Sequence, residues 1–193
     1  MKNERSSRRA FLKSGIIVGT SAIAGLSLSS AAETGKKEEE VSPPEDLMRE
    51  HGVLKRVLLV YAEVLRRIDA KQDFPPEALA DAAGIIRSFI EDYHEKLEED
   101  FLFPRFENAH QLVDLVSVLR DQHQAGRRVT DVTMRLANSG ALKNDSERAQ
   151  LAGSMRQFIR VYNPHEARED TVLFPAFHKI VTAHEFGSLG RGF

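Results

Sequence analysis

The chain has no cysteine. Thiolate ligation, iron–sulfur clusters, disulfides and lipid attachment through cysteine are therefore all excluded. Any metal has to be held by histidine and carboxylate, a donor set suited to iron, manganese or zinc rather than copper(I). An excess of either charge is also missing: 27 basic residues stand against 29 acidic ones, which points away from a nucleic-acid partner. No apolar run reaches the ~20 residues a membrane-spanning helix needs. There is no phosphate-binding loop, no nucleophile–base arrangement, and no segment with the sustained period-two alternation of a strand. The 193 residues suffice for one domain with a proper core.

What the sequence does contain is a short pattern written twice, 71 residues apart: His94-Glu95-Lys96-Leu97-Glu98-Glu99-Asp100-Phe101-Leu102-Phe103-Pro104 and His165-Glu166-Ala167-Arg168-Glu169-Asp170-Thr171-Val172-Leu173-Phe174-Pro175. His and Glu four residues apart share one helix face, so their side chains can converge on one ion. The repeat extends upstream, with His51 lying 43 residues before His94 and His123 lying 42 before His165. Each half thus reads as a helical hairpin, with a lone histidine on its first helix and a His-xxx-Glu pair on its second.

The N-terminus has the layout of an export signal. Ser7-Arg8-Arg9-Ala10-Phe11-Leu12-Lys13 precedes a mostly apolar stretch from Gly15 to Leu28, and small residues follow from Ser29 to Ala32. Paired arginines before Phe-Leu-Lys resemble the twin-arginine signal, which engages a folded-protein export machinery. The expectation is an exported, periplasmic protein with a signal over residues 1–32, cleaved after Ala32 or kept as an anchor, and no stable span in the body. Without those residues the balance is 22 basic to 28 acidic, a net charge near −6.

Residues 33–44 read as a disordered linker ending in Ser42-Pro43-Pro44. Four amphipathic helical segments are predicted over a body spanning 45–185, with 186–193 as a tail. The first runs from Glu45 to Ile68 with Leu47, His51, Leu54, Leu58, Tyr61 and Leu65 on one stripe. The second runs from Glu77 to Phe106 with Ile86, Ile90, His94, Leu97, Glu98 and Phe101 together. The third, from Gln111 to Ala137, aligns Leu112, Leu115, Leu119, His123, Thr130 and Met134, and Asn138-Ser139-Gly140 ends it. The fourth, from Ser146 to Phe177, aligns Phe158, Tyr162, His165, Glu169 and Val172. Pro164 predicts a kink before His165, and Phe103-Pro104 and Phe174-Pro175 predict a bend or break at matching places. The fold class is all-α, an antiparallel up-and-down four-helix bundle built as a duplicated hairpin.

Each candidate ligand falls on an apolar stripe, where a polar group is costly unless it is paired or bound to metal. A single histidine there is most often a hydrogen-bonded core residue, but four on four stripes with two equivalent carboxylates point to metal. Six ligands exceed one tetrahedral zinc and suit two ions, with two histidines on each and the glutamates bridging. Ferritin-like bundles instead carry Glu before His at i, i+3. Glu95 and Glu166 match each other and read as a solvated face, with roles as ligands or partners of the histidines left open. Tyr61, Tyr93 and Tyr162 read as core. His110, His178 and His184, without repeat partners, read as surface, as does Arg127-Arg128.

Met48-Arg49-Glu50-His51, Gln122-His123 and the two long motifs together resemble the hemerythrin-like (HHE cation-binding) family over roughly residues 45–185. The resemblance implies a four-helix bundle around a non-haem centre of two iron ions; ligand chemistry alone admits manganese or zinc as well. It implies His51, His94, His123 and His165 as terminal ligands and Glu98 and Glu169 as bridges. Oxygen-carrying members have a further histidine on the third helix, where this chain has Leu119 or Arg127, and an Asp at the position of Asp170. A six-ligand site with open positions favours oxygen, peroxide or nitric oxide reactivity, or iron exchange, over pure reversible oxygen carriage; the leading expectation is a protein that binds or senses oxygen or a related diatomic or peroxide ligand. The alternatives are a di-iron oxidase or reductase acting on peroxide or nitric oxide, a ferroxidase, and an iron storage or delivery module.

Overall fold

The structure, a computed structural model, describes residues 41–182 and 185. The export signal, the linker up to residue 40, His184 and the 186–193 tail lie outside the described residues. All regular structure among the described residues is helical.

Helix α1 (Pro43–Asp69) starts two residues earlier than predicted. The Glu45 carboxylate accepts a hydrogen bond from the Ser42 backbone N–H at 3.1 Å, which fixes the entry turn. Pro43 takes the first helical position, where its missing donor costs nothing, and both prolines are buried rather than part of a linker. Helix α2 (76–108) follows a turn in which Lys71 is left-handed. Helix α3 (Val113–Leu136) follows a tight reversal through His110 and Leu112, both with positive φ. The predicted break at Asn138-Ser139-Gly140 contains one more short helix, α4 (Ser139–Lys143). Asn138 caps α4 through its side-chain oxygen, and Asn144 caps α5 (145–180) in the same way.

The four long helices close into a ring of contacts, α1 on α2, α2 on α3, α3 on α5 and α5 on α1. Their apolar stripes form two clusters. One is built around Leu54, Tyr61, Ile86, Ile90, Met155 and Phe158. The other is built around Leu47, Phe103, Phe106, Leu119, Phe174 and Phe177. Phe106 and Phe177, equivalent in the repeat, meet at 5.9 Å in the second cluster.

The prolines in the repeated motif do not break their helices. Glu98–Leu102 and Glu169–Leu173, again equivalent in the repeat, are π-helical. Phe103 N–H reaches the Glu98 carbonyl and Phe174 N–H reaches that of Glu169, five residues back in each case. The wider turn sits where Pro104 and Pro175 would otherwise crowd a carbonyl four residues earlier. The buried stripe continues four residues past each glutamate rather than three. Leu102 and Leu173 are fully buried, whereas Phe101 and Val172, predicted to face inward, are 38% and 43% exposed. Met134 and Leu112 also face outward, Leu112 because it lies outside the helix in the left-handed turn. Pro164 sits on the exposed side of α5, which is continuous from Asp145 to Arg168.

The buried stripe has a measurable signature. Leu102→Ala should cost about 2–5 kcal/mol in urea denaturation, and Phe101→Ala under about 1 kcal/mol. A stripe that ran through Phe101 instead would reverse that order.

Candidate metal centre

Between the two apolar clusters lies a polar layer, and every helix of the ring contributes to it. On α1, His51 sits between Leu47 and Leu54; on α3, His123 sits between Leu119 and Val129. On α2 and α5 the His-xxx-Glu pairs occupy the turn leading into the π segment. All six residues predicted as ligands are buried: His51, His94, Glu98, His123, His165 and Glu169.

The structure brings these six together. Glu98 reaches toward two histidines with different oxygens, Oε1 lying 3.8 Å from His94 Nε2 and Oε2 3.5 Å from His123 Nε2. Glu169 repeats the arrangement, with Oε2 at 3.4 Å from His51 Nε2 and Oε1 at 3.1 Å from His165 Nε2. His123 Nε2 and His165 Nε2 are 3.2 Å apart, and the His51 and His94 ring centroids are 4.9 Å apart. Ligand atoms of Glu98, His123, His165 and Glu169 all fall within 4.8 Å of one another, and so do those of His51, His94 and Glu98.

The outer nitrogens are equally ordered. His51 Nδ1 meets Asp170 Oδ1 at 2.8 Å, and His123 Nδ1 meets Glu99 Oε1 at 3.0 Å. His94 Nδ1 meets Glu50 Oε2 at 3.0 Å, and His165 Nδ1 meets Gln122 Oε1 at 3.0 Å. An acceptor on every Nδ1 fixes the tautomer and leaves each Nε2 lone pair facing the centre. Asp170 thus sits outside the ligand layer, on the far side of His51. Glu50, Glu99 and Gln122 entered the sequence motifs without a role of their own. The signal was present, because Glu50 and Gln122 each precede a repeated histidine, while Glu99 and Asp170 each follow a repeated glutamate.

Two expectations change. Glu95 and Glu166 are buried, not a solvated face. Glu95 accepts from the Tyr162 hydroxyl at 2.6 Å and pairs with Arg127 at 2.9 Å, while Lys55 approaches Glu166 at 3.4 Å. Arg127 is accordingly no free surface residue; it also holds Glu99 at 2.8 Å and so fills the third acidic group, formed by Glu95, Glu99 and His123. Leu119 belongs to the apolar cluster, so neither helix-three position supplies a further ligand. Tyr61 and Tyr162 are core residues as expected, and His110 and His178 are exposed.

A layer of this kind is electrostatically frustrated without an ion. Both oxygens of Glu98, both of Glu169 and Nε2 of His51 are buried with no hydrogen-bond partner. Such groups are costly, and a cation placed among them satisfies all of them at once. Burial and the neighbouring charge of Glu169 hold the Glu98 carboxyl well above its ordinary range. Burial acts on Glu169 as well, yet the imidazoles of His165 and His51 outweigh it and hold that carboxyl low. Burial pushes His94 down to about 3 and His123 down to about 4. For His51 burial opposes protonation, but the hydrogen bond to Asp170 and the close carboxylate of Glu169 outweigh it and its pKa rises to about 9.

Two consequences can be measured. The metal-free protein carries a proton on His51 near neutral pH, so loading divalent metal should expel it. Calorimetric titrations in buffers of differing ionisation heat should show that release near pH 7, falling as pH rises through about 9. The His51 shift is upward, so its contribution to metal-free stability is complete below pH 6.5 and is lost as pH climbs through about 9. His51→Ala should flatten that part of the pH–stability curve.

The Hemerythrin HHE cation binding domain matches residues 42–177. Uncharacterized proteins of Mycobacterium tuberculosis and Mycobacterium bovis are each 49% identical over 160 residues, which is 83% of this chain. The chain spans 63% of the length of those relatives. No solved structure matches it. The family match covers the whole ring of long helices and all six converging side chains, and the chain belongs to the hemerythrin HHE cation-binding domain family.

Proposed function

We propose that this protein is an exported, non-haem di-iron protein that binds or senses oxygen or a related small molecule, on an antiparallel up-and-down four-helix bundle. The observation that carries the reading is the split aim of the two carboxylates. Glu98 and Glu169 each direct one oxygen at a histidine of one half and the other at a histidine of the opposite half. That is the geometry of two bridges. One ion would take His51 and His94, the other His123 and His165, and each would share an oxygen of both glutamates.

The nitrogen–oxygen donor set of these six residues fits iron. Iron so held supplies electron exchange with oxygen-type ligands. The chain's own residues supply the rest. The Nδ1 acceptors hold each imidazole in its metal-facing tautomer, and the apolar clusters on either side keep bulk water from the layer. A di-iron oxidase or reductase acting on peroxide or nitric oxide is the second reading, favoured by the buried Tyr162–Glu95 pair beside His165.

Export through the twin-arginine route belongs to the same proposal. It rests on Arg8-Arg9-Ala10-Phe11-Leu12-Lys13 and the apolar stretch behind it, and it fits a protein that folds around its metal before leaving the cytoplasm.

Metal analysis of the purified protein, with absorption spectra of its reduced form before and after air, tests the centre. About two irons per chain and a new visible band on oxygenation are the expected results. His51→Ala and Glu98→Ala should lower both iron content and Tm, because metal bound only to the folded state stabilises it, by about 3 kcal/mol at a hundredfold excess over Kd. Unchanged Tm and no bound metal after iron reconstitution would remove the centre. Replacing Arg8 and Arg9 together with Lys should leave uncleaved protein in the cytoplasm, read by fractionation and immunoblotting.

A further inference from the structure

The two rims of the polar layer repeat each other in sequence but are closed to different degrees. On the first, Arg127 reaches Glu95 at 2.9 Å and Glu99 at 2.8 Å, and its side chain is only 19% exposed. The Tyr162 hydroxyl donates to the other oxygen of Glu95 at 2.6 Å. Room for that phenol comes from Gly126, since a Cβ there would overlap the Tyr162 oxygen. On the second rim the same places hold Glu166, Asp170 and Lys55. Leu54 fills the position of Gly126 with hydrocarbon, and the counterpart of Tyr162 is Glu91, which pairs with Arg87 at 2.9 Å. Glu166 is left half satisfied. The residue is 5% exposed, one oxygen meets Lys55 Nζ at 3.4 Å, and the other is buried with no hydrogen-bond partner among the described residues. The Lys55 side chain is 57% exposed, and Asp170, on the next turn of α5, is 27% exposed against 11% for Glu99. The change of cation matters. Arginine grips two carboxylates with one planar fork, whereas lysine offers a single charge on a flexible stem. A long ion pair at an exposed ammonium is weak because water screens it. The orphaned oxygen behind it is costly until a cation reaches it.

We propose that Glu166 and Asp170 form the port through which ferrous iron enters the centre, with Lys55 as its displaceable cover. The proposal rests on the di-iron reading. The incoming ion takes the place of the Lys55 ammonium at Glu166 and is held by two carboxylates four residues apart on one helix face. His51 is the first ligand beyond them, because Asp170 touches its outer nitrogen at 2.8 Å and Glu169 lies 3.4 Å from its inner one. The opposite rim stays shut during loading, since Arg127 would have to release Glu95 and Glu99 together.

The test mixes the metal-free full chain with ferrous iron in the absence of air, traps unbound iron with a chelator at successive times, and measures the final iron content of each sample. Glu166→Gln should slow uptake about tenfold, ending at the iron content of the unmodified protein. Lys55→Arg, which restores a fork to this rim, should slow uptake several-fold, and Lys55→Gln should speed it several-fold. Asp114→Asn, an exposed carboxylate near the start of α3, controls for overall charge and should leave the rate unchanged. A rate that does not move in the Lys55 variants, or that moves in Arg127→Lys instead, overturns the port and leaves the metal reading intact. A lower final iron content in Glu166→Gln also overturns it, by making Glu166 a resident ligand. A chain that takes up no iron removes both.

Discussion

Everything in this fold is arranged around a layer of buried ionisable groups between two apolar clusters. Four imidazoles and two carboxylates, withdrawn from water, repel and desolvate one another unless a cation joins them. The helices above and below the layer are ordinary amphipathic core. Their role in chemistry is to hold six side chains close together without admitting solvent that would screen them.

The repeat governs how that layer is built. The histidine of each hairpin's first helix takes its Nδ1 acceptor from the opposite hairpin, Asp170 for His51 and Glu99 for His123. The aromatic support is exchanged in the same sense. His51 stacks on Phe174 at 5.7 Å and His123 on Phe103 at 5.5 Å. Lys55 on Glu166 and Arg127 on Glu95 complete the correspondence within the layer's rim.

Much of this was legible in the sequence, for a physical reason. A helix repeats its face every three to four residues, so His94 and Glu98, and their counterparts 71 residues on, had to share a face. The helical segments followed from the same period. What the period could not show was which of two neighbouring positions faces inward. Three and four residues past each glutamate lie on either side of the same face, so Phe101 and Val172 were assigned inward when Leu102 and Leu173 hold those places. The partners of the histidines were hidden differently. Glu50, Glu99 and Gln122 look like surface residues beside a motif, and only tertiary contact reveals which imidazole each one meets. Glu95 and Glu166 were misread because an acidic residue on a helix is normally solvated, and nothing local announced Arg127 or Lys55 across the interface.

The crosswise exchange of partners has a further meaning. Neither hairpin could finish its own half of the layer, so two separate hairpins would have to find each other in solution, and their assembly would weaken on dilution. Joining them in one chain turns that encounter into an intramolecular event with a fixed effective concentration. It also frees the two copies from having to stay identical. A symmetric pair could not have kept leucine at one position while opening it to glycine at the other, yet Leu54 and Gly126 differ in this way. Covalent fusion is thus what allows one flank of a two-fold site to remain inert hydrocarbon while the other acquires a phenol of its own.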